Sequence, residues 1–127
     1  MRYFVLCLML LSYPAFAAEK VDLEKTMKQM ALEFKQANEA TTPEQLSSHI
    51  SSLKQLTQTA MQAEFAPEKA EQFKQGLQQV LAELSATQTA IAEQDQAAVL
   101  VHLKKVDELR KKYHQQREVS IWKLLFG

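Results

Sequence analysis

Residues 67–92 read PEKAEQFKQGLQQVLAELSATQTAIA. Ala70, Phe73, Leu77, Val80, Leu81, Leu84 and Ile91 recur mostly at three- and four-residue steps, the period that gives a helix one apolar face. The residues between them are mainly Gln, Glu, Lys and Ala, which lose little side-chain freedom on entering a helix. The stretch is predicted to be one long helix from near Pro67 to about Ala92.

Three further helices flank it. Before it, Thr42-Pro43-Glu44-Gln45 is a helix start: Thr42 as N-cap, Pro43 at the first helical position, Gln45 completing a capping box. Leu46, Ile50, Leu53, Leu56 and Ala60 carry that helix to about Gln62. Earlier still, Leu23, Met27, Met30, Phe34 and Ala37 step by 4, 3, 4 and 3 residues between about Glu19 and Glu39, a seam of the bundle type. After it, Asp95 is an N-cap, and Val99, Leu103, Val106, Leu109 and Tyr113 form a stripe running to about Ser120. All three connections are short, which makes successive helices antiparallel neighbours. The predicted fold is all-α, an up-down-up-down antiparallel four-helix bundle. No internal repeat, linker or second domain is visible.

Composition agrees. The chain has 127 residues, 46% of them apolar, enough for one domain with a core. With only 2 Gly and 3 Pro it lacks the turn residues a sandwich or barrel requires. A formal net charge of +0 argues against a nucleic-acid binder. One Cys excludes a disulfide framework and a Cys-rich metal site.

The first 17 residues read as a secretory signal peptide. Arg2 supplies the positive start, Tyr3 to Leu11 is an apolar run, and Ala15-Phe16-Ala17 is a small-x-small cleavage site. The run is shorter than the ~18 residues of a membrane span. Cys7 lies inside it, too early for a lipoprotein. Cleavage after Ala17 leaves residues 18–127; only Arg2 is lost from the charged residues, so 14 basic face 15 acidic residues, with no Cys. An exported chain of this kind is held together by packing, or by packing and a ligand.

The helices also act as rulers. Let the bottom of the bundle be the end where the first helix starts. At 1.5 Å per residue, Met27 then lies ~12 Å up, Phe73 and Gly76 ~9 to 14 Å up, and His114 ~9 Å up. At 100° per residue, Leu103, Val106, Arg110, Tyr113 and His114 share a sector of ~100°, so His114 is predicted to point inward or close to it. Met27 and His114 on different helices at one level are a pair that can provide both axial ligands to a haem iron. The same residues also read as a gap-filling core methionine and a core or boundary histidine, and spacing does not decide between the readings. Because no Cys-x-x-Cys-His is present, any haem must be held without thioether links. Gly76 costs about 1 kcal/mol against Ala inside a helix; it makes room either for a flat ligand or for a neighbouring helix. Phe73, one turn earlier, either faces that ligand or fills core. His49 and His102 read as surface or boundary residues.

Asp22-Leu23-Glu24 with Met27, then Phe73-Lys74-Gln75-Gly76, then Arg110 with Tyr113-His114-Gln115 together resemble the soluble cytochrome b562 family over roughly residues 20–117. The resemblance implies a periplasmic four-helix bundle, a monomer without an integral membrane span, that binds one haem b non-covalently and passes electrons to redox partner proteins. It implies Met27 and His114 as iron ligands, and Phe73, Gly76, Leu77 and Arg110 as haem-binding residues. An aromatic ring is more usual in the family at the position of Leu77. A second basic residue is usual one turn after the histidine, where this chain has Glu118 beside Arg117. The tail from Val119 to Gly127 runs past the family's usual end. Its Ile121, Trp122, Leu124, Leu125 and Phe126 are read as packing on the bundle end, as a frayed terminus, or as a partner or membrane-surface contact.

Three functions remain in contention at this stage. An electron carrier would have both axial positions filled and no open site, and the chain shows neither a nucleophile–base constellation nor a phosphate loop, so no enzyme activity is expected. A haem-free helical adaptor or chaperone would use the same seams. A haem sensor or storage protein would bind the same group without fast electron exchange.

Overall fold

The computed structural model describes residues 20–126, with side chains described to residue 115. The leader expected over residues 1–17 lies outside the described residues.

Asp22 sets the start of the first helix. Its carboxylate accepts a hydrogen bond from the Lys25 amide at 3.1 Å, so α1 spans Leu23–Glu39 instead of starting near Glu19. The second helix, α2, spans Pro43–Met61 and is capped by Thr42, whose Oγ1 accepts from the Gln45 amide at 3.2 Å. The capping box closes one residue early: Gln45 Oε1 accepts from the amide and hydroxyl of Thr41, at 3.2 and 3.3 Å, and not from the amide of Thr42.

The third helix, α3, spans Ala70–Ala92, three residues short of the predicted start. Pro67 opens a turn in which the amides of Lys69 and Ala70 both donate to the Ala66 carbonyl at 2.9 Å. No Ser, Thr, Asp or Asn lies between Ala63 and Lys69 to cap a helix earlier, and Lys69 makes no side-chain cap bond.

The turn into the fourth helix is a Schellman motif. The Gln94 amide donates to Ile91 O at 3.1 Å and the Asp95 amide to Ala90 O at 2.9 Å. Gln94 has φ 58°, the left-handed conformation usually given to glycine. Asp95 then caps α4 by accepting from the Ala98 amide at 3.0 Å. The fourth helix, α4, spans Gln96–Phe126 and so continues beyond its predicted end near Ser120, with no Gly or Pro in its 31 residues to stop it.

The all-α four-helix architecture follows, with α1 packed on α2, α2 on α3 and α3 on α4. Among the described residues, the backbones of α1 and α4 make no close approach. The core sits in the upper half of the bundle, where Ile50 and Leu84 are fully buried and Leu53, Val80, Val99, Leu103 and Val106 pack around them. Thr57 and Thr87 are equally buried, and each satisfies its hydroxyl by donating to a carbonyl one turn back, Leu53 O at 2.7 Å and Glu83 O at 2.8 Å.

The open side changes the predicted seam of α1. Its fully buried residues are Thr26 and Ala37, both small, while Leu23, Met27, Met30 and Phe34 are only half-buried. These larger side chains have no facing α4 to bury them completely.

Candidate functional site

The lower half of the bundle holds a cavity of about 380 Å³, within the ~300–1,000 Å³ range typical of small-molecule sites. Met27, Phe73, Gly76 and His114, which helix rise placed at one level, all line it, and so do Leu77 and Arg110. They come from three helices, α1, α3 and α4, that meet at this cavity from separate parts of the sequence.

Met27 stands on α1 and His114 on α4, whose backbones make no close approach among the described residues. His114 is more exposed than its helical sector implies. The sector faces α3 and α1, and at this height α1 does not close over it. His114 therefore belongs to the cavity's rim. The walls above it are apolar: Met30, Phe34, Leu53, Leu77, Val80, Val106 and Leu109.

The floor is aromatic. Phe65, from the connection between α2 and α3, stacks on Phe73 with ring centroids 5.5 Å apart and planes 19° apart. Tyr113 tilts against Phe73 at 6.4 Å and 45°. The Tyr113 ring lies directly over Gly76, where an added Cβ would collide with it. Gly76 is thus required, as the structure stands, by an aromatic ring from the next helix that itself lines the cavity. Sequence reasoning missed Phe65 and the placement of the Tyr113 ring. The available signal for Phe65 was a lone aromatic among Glu64, Ala66 and Pro67.

Charges gather at the rim. Lys28 pairs with Glu24 at 3.0 Å. Arg110 turns back along α4 to Asp107, its Nε and Nη2 donating at 3.1 and 2.9 Å. Lys111 reaches the other oxygen of Asp107 at 2.8 Å. The hydrogen-bonded Lys111 ammonium, aided by Arg110, holds the Asp107 carboxyl below its ordinary value although burial pushes the other way.

The other two histidines lie outside the cavity. His49 Nδ1 donates to Glu33 Oε2 at 2.7 Å, joining α2 to α1, and His102 Nδ1 donates to Glu83 Oε2 at 2.6 Å, joining α4 to α3. Both histidines are half-buried boundary residues, as their positions implied. Among the described residues, no group of three His, Cys, Asp or Glu side chains is placed to hold a bare metal ion.

A thioether on α1 and an imidazole on α4 at one apolar cleft are donors that can hold a metal-bearing ligand. The fold and the site define a four-helix bundle with a cofactor-sized cleft on one side. The chain belongs to the cytochrome b562 family, whose model matches residues 22–117 and so takes in α1, α2, α3, α4 up to Arg117, and every cavity residue named above. No curated protein matches the chain significantly.

Proposed function

We propose that the protein is an exported, periplasmic electron carrier that binds one haem b non-covalently, with Met27 and His114 as the axial ligands. The observation that carries this reading is the meeting of Met27 from α1 and His114 from α4 at one apolar cavity. Haem held there would supply a one-electron couple. The neutral, soft thioether of Met27 favours the ferrous state and raises the potential, while the imidazole of His114 is the stronger donor. Met27 and His114 would together hold the iron by two protein donors, which fits electron transfer more than catalysis. Phe73, Leu77 and the other apolar walls would cover the ligand with apolar surface. Gly76 and Tyr113 set the cavity's floor. Arg110, at the rim, is a cation that would pair with acidic groups of the ligand. A monomer with a small polar contact surface suits brief encounters with redox partner proteins.

The test is the visible spectrum of the protein expressed with haem, oxidised and reduced. The wild type should show sharp low-spin bands and bind carbon monoxide poorly when ferrous. His114→Ala should lose the low-spin spectrum. Met27→Ala should bind carbon monoxide readily and have a lower potential. Unchanged spectra in both variants would refute the ligand assignment. A colourless protein after loading would favour the haem-free adaptor, and rapid carbon monoxide binding by the wild type would favour a sensor.

A further inference from the structure

The helices α3 and α4 are joined by a three-residue turn and are flush at that end. With 23 residues, α3 is ~34 Å long; α4, with 31, is ~46 Å long. The excess of eight residues, Val119–Phe126, therefore runs ~12 Å past the start of α3, at the cavity end of the bundle. It also lies beyond residue 117, where the family match stops.

Six of those eight residues are apolar: Val119, Ile121, Trp122, Leu124, Leu125 and Phe126. At 100° per residue they are spread around the axis, not confined to the single stripe with which a helix docks in a protein groove. The charge is polarised as well. From Lys111 to Gly127 there are four basic residues, Lys111, Lys112, Arg117 and Lys123, against Glu118 alone, a net +3. Residues 18–110 carry 10 basic and 14 acidic residues, a net −4.

We infer that the C-terminal end of α4 is a tether that seats on an anionic lipid surface, its apolar tip entering the headgroup boundary. A reach of ~12 Å is a little more than the ~5–10 Å of interfacial insertion and falls far short of the ~30 Å hydrocarbon core, in keeping with the finding that no described helix is long and apolar enough to cross a membrane. Trp122 is the residue type enriched at that boundary. The cationic end is drawn to the surface while the acidic bundle is held off it, so the molecule stands with α4 pointing downward. His114 is twelve residues, or ~18 Å, from Phe126 along the helix. If the cavity carries haem as proposed above, the tether presents that end to redox proteins embedded in the same membrane. The inference itself does not depend on the cofactor.

Trp122 is the only tryptophan in the chain and so reports on the tip alone. The test uses residues 18–127, which retain all four helices, with phosphatidylcholine vesicles and with vesicles containing phosphatidylglycerol. Flotation with the phosphatidylglycerol vesicles and a blue shift of Trp122 emission are expected. Lys123→Gln should weaken binding about fivefold, the usual effect of one cation near an anionic surface. Leu124→Ser with Leu125→Ser and Phe126→Ser should abolish flotation while the helical circular dichroism persists. Absence of flotation, or equal flotation with neutral vesicles, overturns the proposal. So does a concentration-dependent blue shift without lipid accompanied by a doubled mass in sedimentation, which would make a second copy of the chain the occupant.

Discussion

Gly76→Ala separates ordinary helix energetics from the particular packing of this bundle. In an exposed helix the substitution stabilises by about 1 kcal/mol, because it removes backbone freedom from the unfolded chain. Here the new Cβ enters space held by the Tyr113 ring. The ring must move, losing part of its tilted contact with Phe73, and overpacking of this kind costs about 1–3 kcal/mol. The balance is a net loss of about 1 kcal/mol, which for a domain of this size lowers the melting temperature by roughly 4–8 °C. In a Tyr113→Ala background the obstruction is gone and the same substitution should stabilise by its full ~1 kcal/mol. The double-mutant cycle should therefore show a coupling of about 2 kcal/mol between positions 76 and 113. The assay is urea and thermal unfolding of the haem-free protein, followed by circular dichroism. Stabilisation by about 1 kcal/mol in both backgrounds would show that the ring does not lie over Gly76. A larger residue pushes further: Gly76→Leu should drive the ring into the cavity and weaken haem binding more than it weakens the bundle.

Gln94→Gly removes a side chain from the left-handed position of the α3–α4 turn and should stabilise by about 0.5–1 kcal/mol, read as a higher urea midpoint at unchanged slope; a lower midpoint would mean the turn does not adopt φ 58° in solution. Asp107→Asn tests the charge cluster on α4. The folded carboxyl lies below its unfolded value of 3.8, so its contribution is present above that value and disappears as pH falls through the lower folded one. The variant should be less stable than wild type at neutral pH, by under about 1 kcal/mol, and the difference should close below pH 3.8; a difference that persists there would assign the effect to packing.

What the sequence disclosed follows from what is local. Thr42, Pro43 and Gln45 mark the start of α2 because capping acts within one turn. Met27, Phe73, Gly76 and His114 could be brought to one level because a helix is a rod of fixed rise, whereas Leu77 and Arg110 were indicated only by the family resemblance. The start of α3 escaped because Pro67 suits the first position of a turn as well as that of a helix. The end of α4 escaped because the apolar stripe dissolves after Tyr113 into a tail apolar on several sides. Phe65 and the Tyr113 ring escaped because a loop's path and a side chain's rotamer are settled by neighbours far away in the chain. The exposure of His114 has the same origin: its sector is fixed by α4, but whether anything covers that sector depends on α1.

The missing approach between α1 and α4 also bears on how the chain folds. Among the described residues each helix packs on the one beside it in sequence, so these helical interfaces form by closing short loops, the low-contact-order arrangement of fast-folding helical proteins. Nothing in that assembly has to wait for the two ends of the chain to find each other. The link across the cleft, between Met27 and His114, spans 87 residues of sequence, and a haem bridging them would be made on a bundle already built. Loading would then be a late event in the life of each molecule, governed by a finished cleft meeting its ligand, and a shortage of cofactor would leave folded protein waiting instead of misfolded chains.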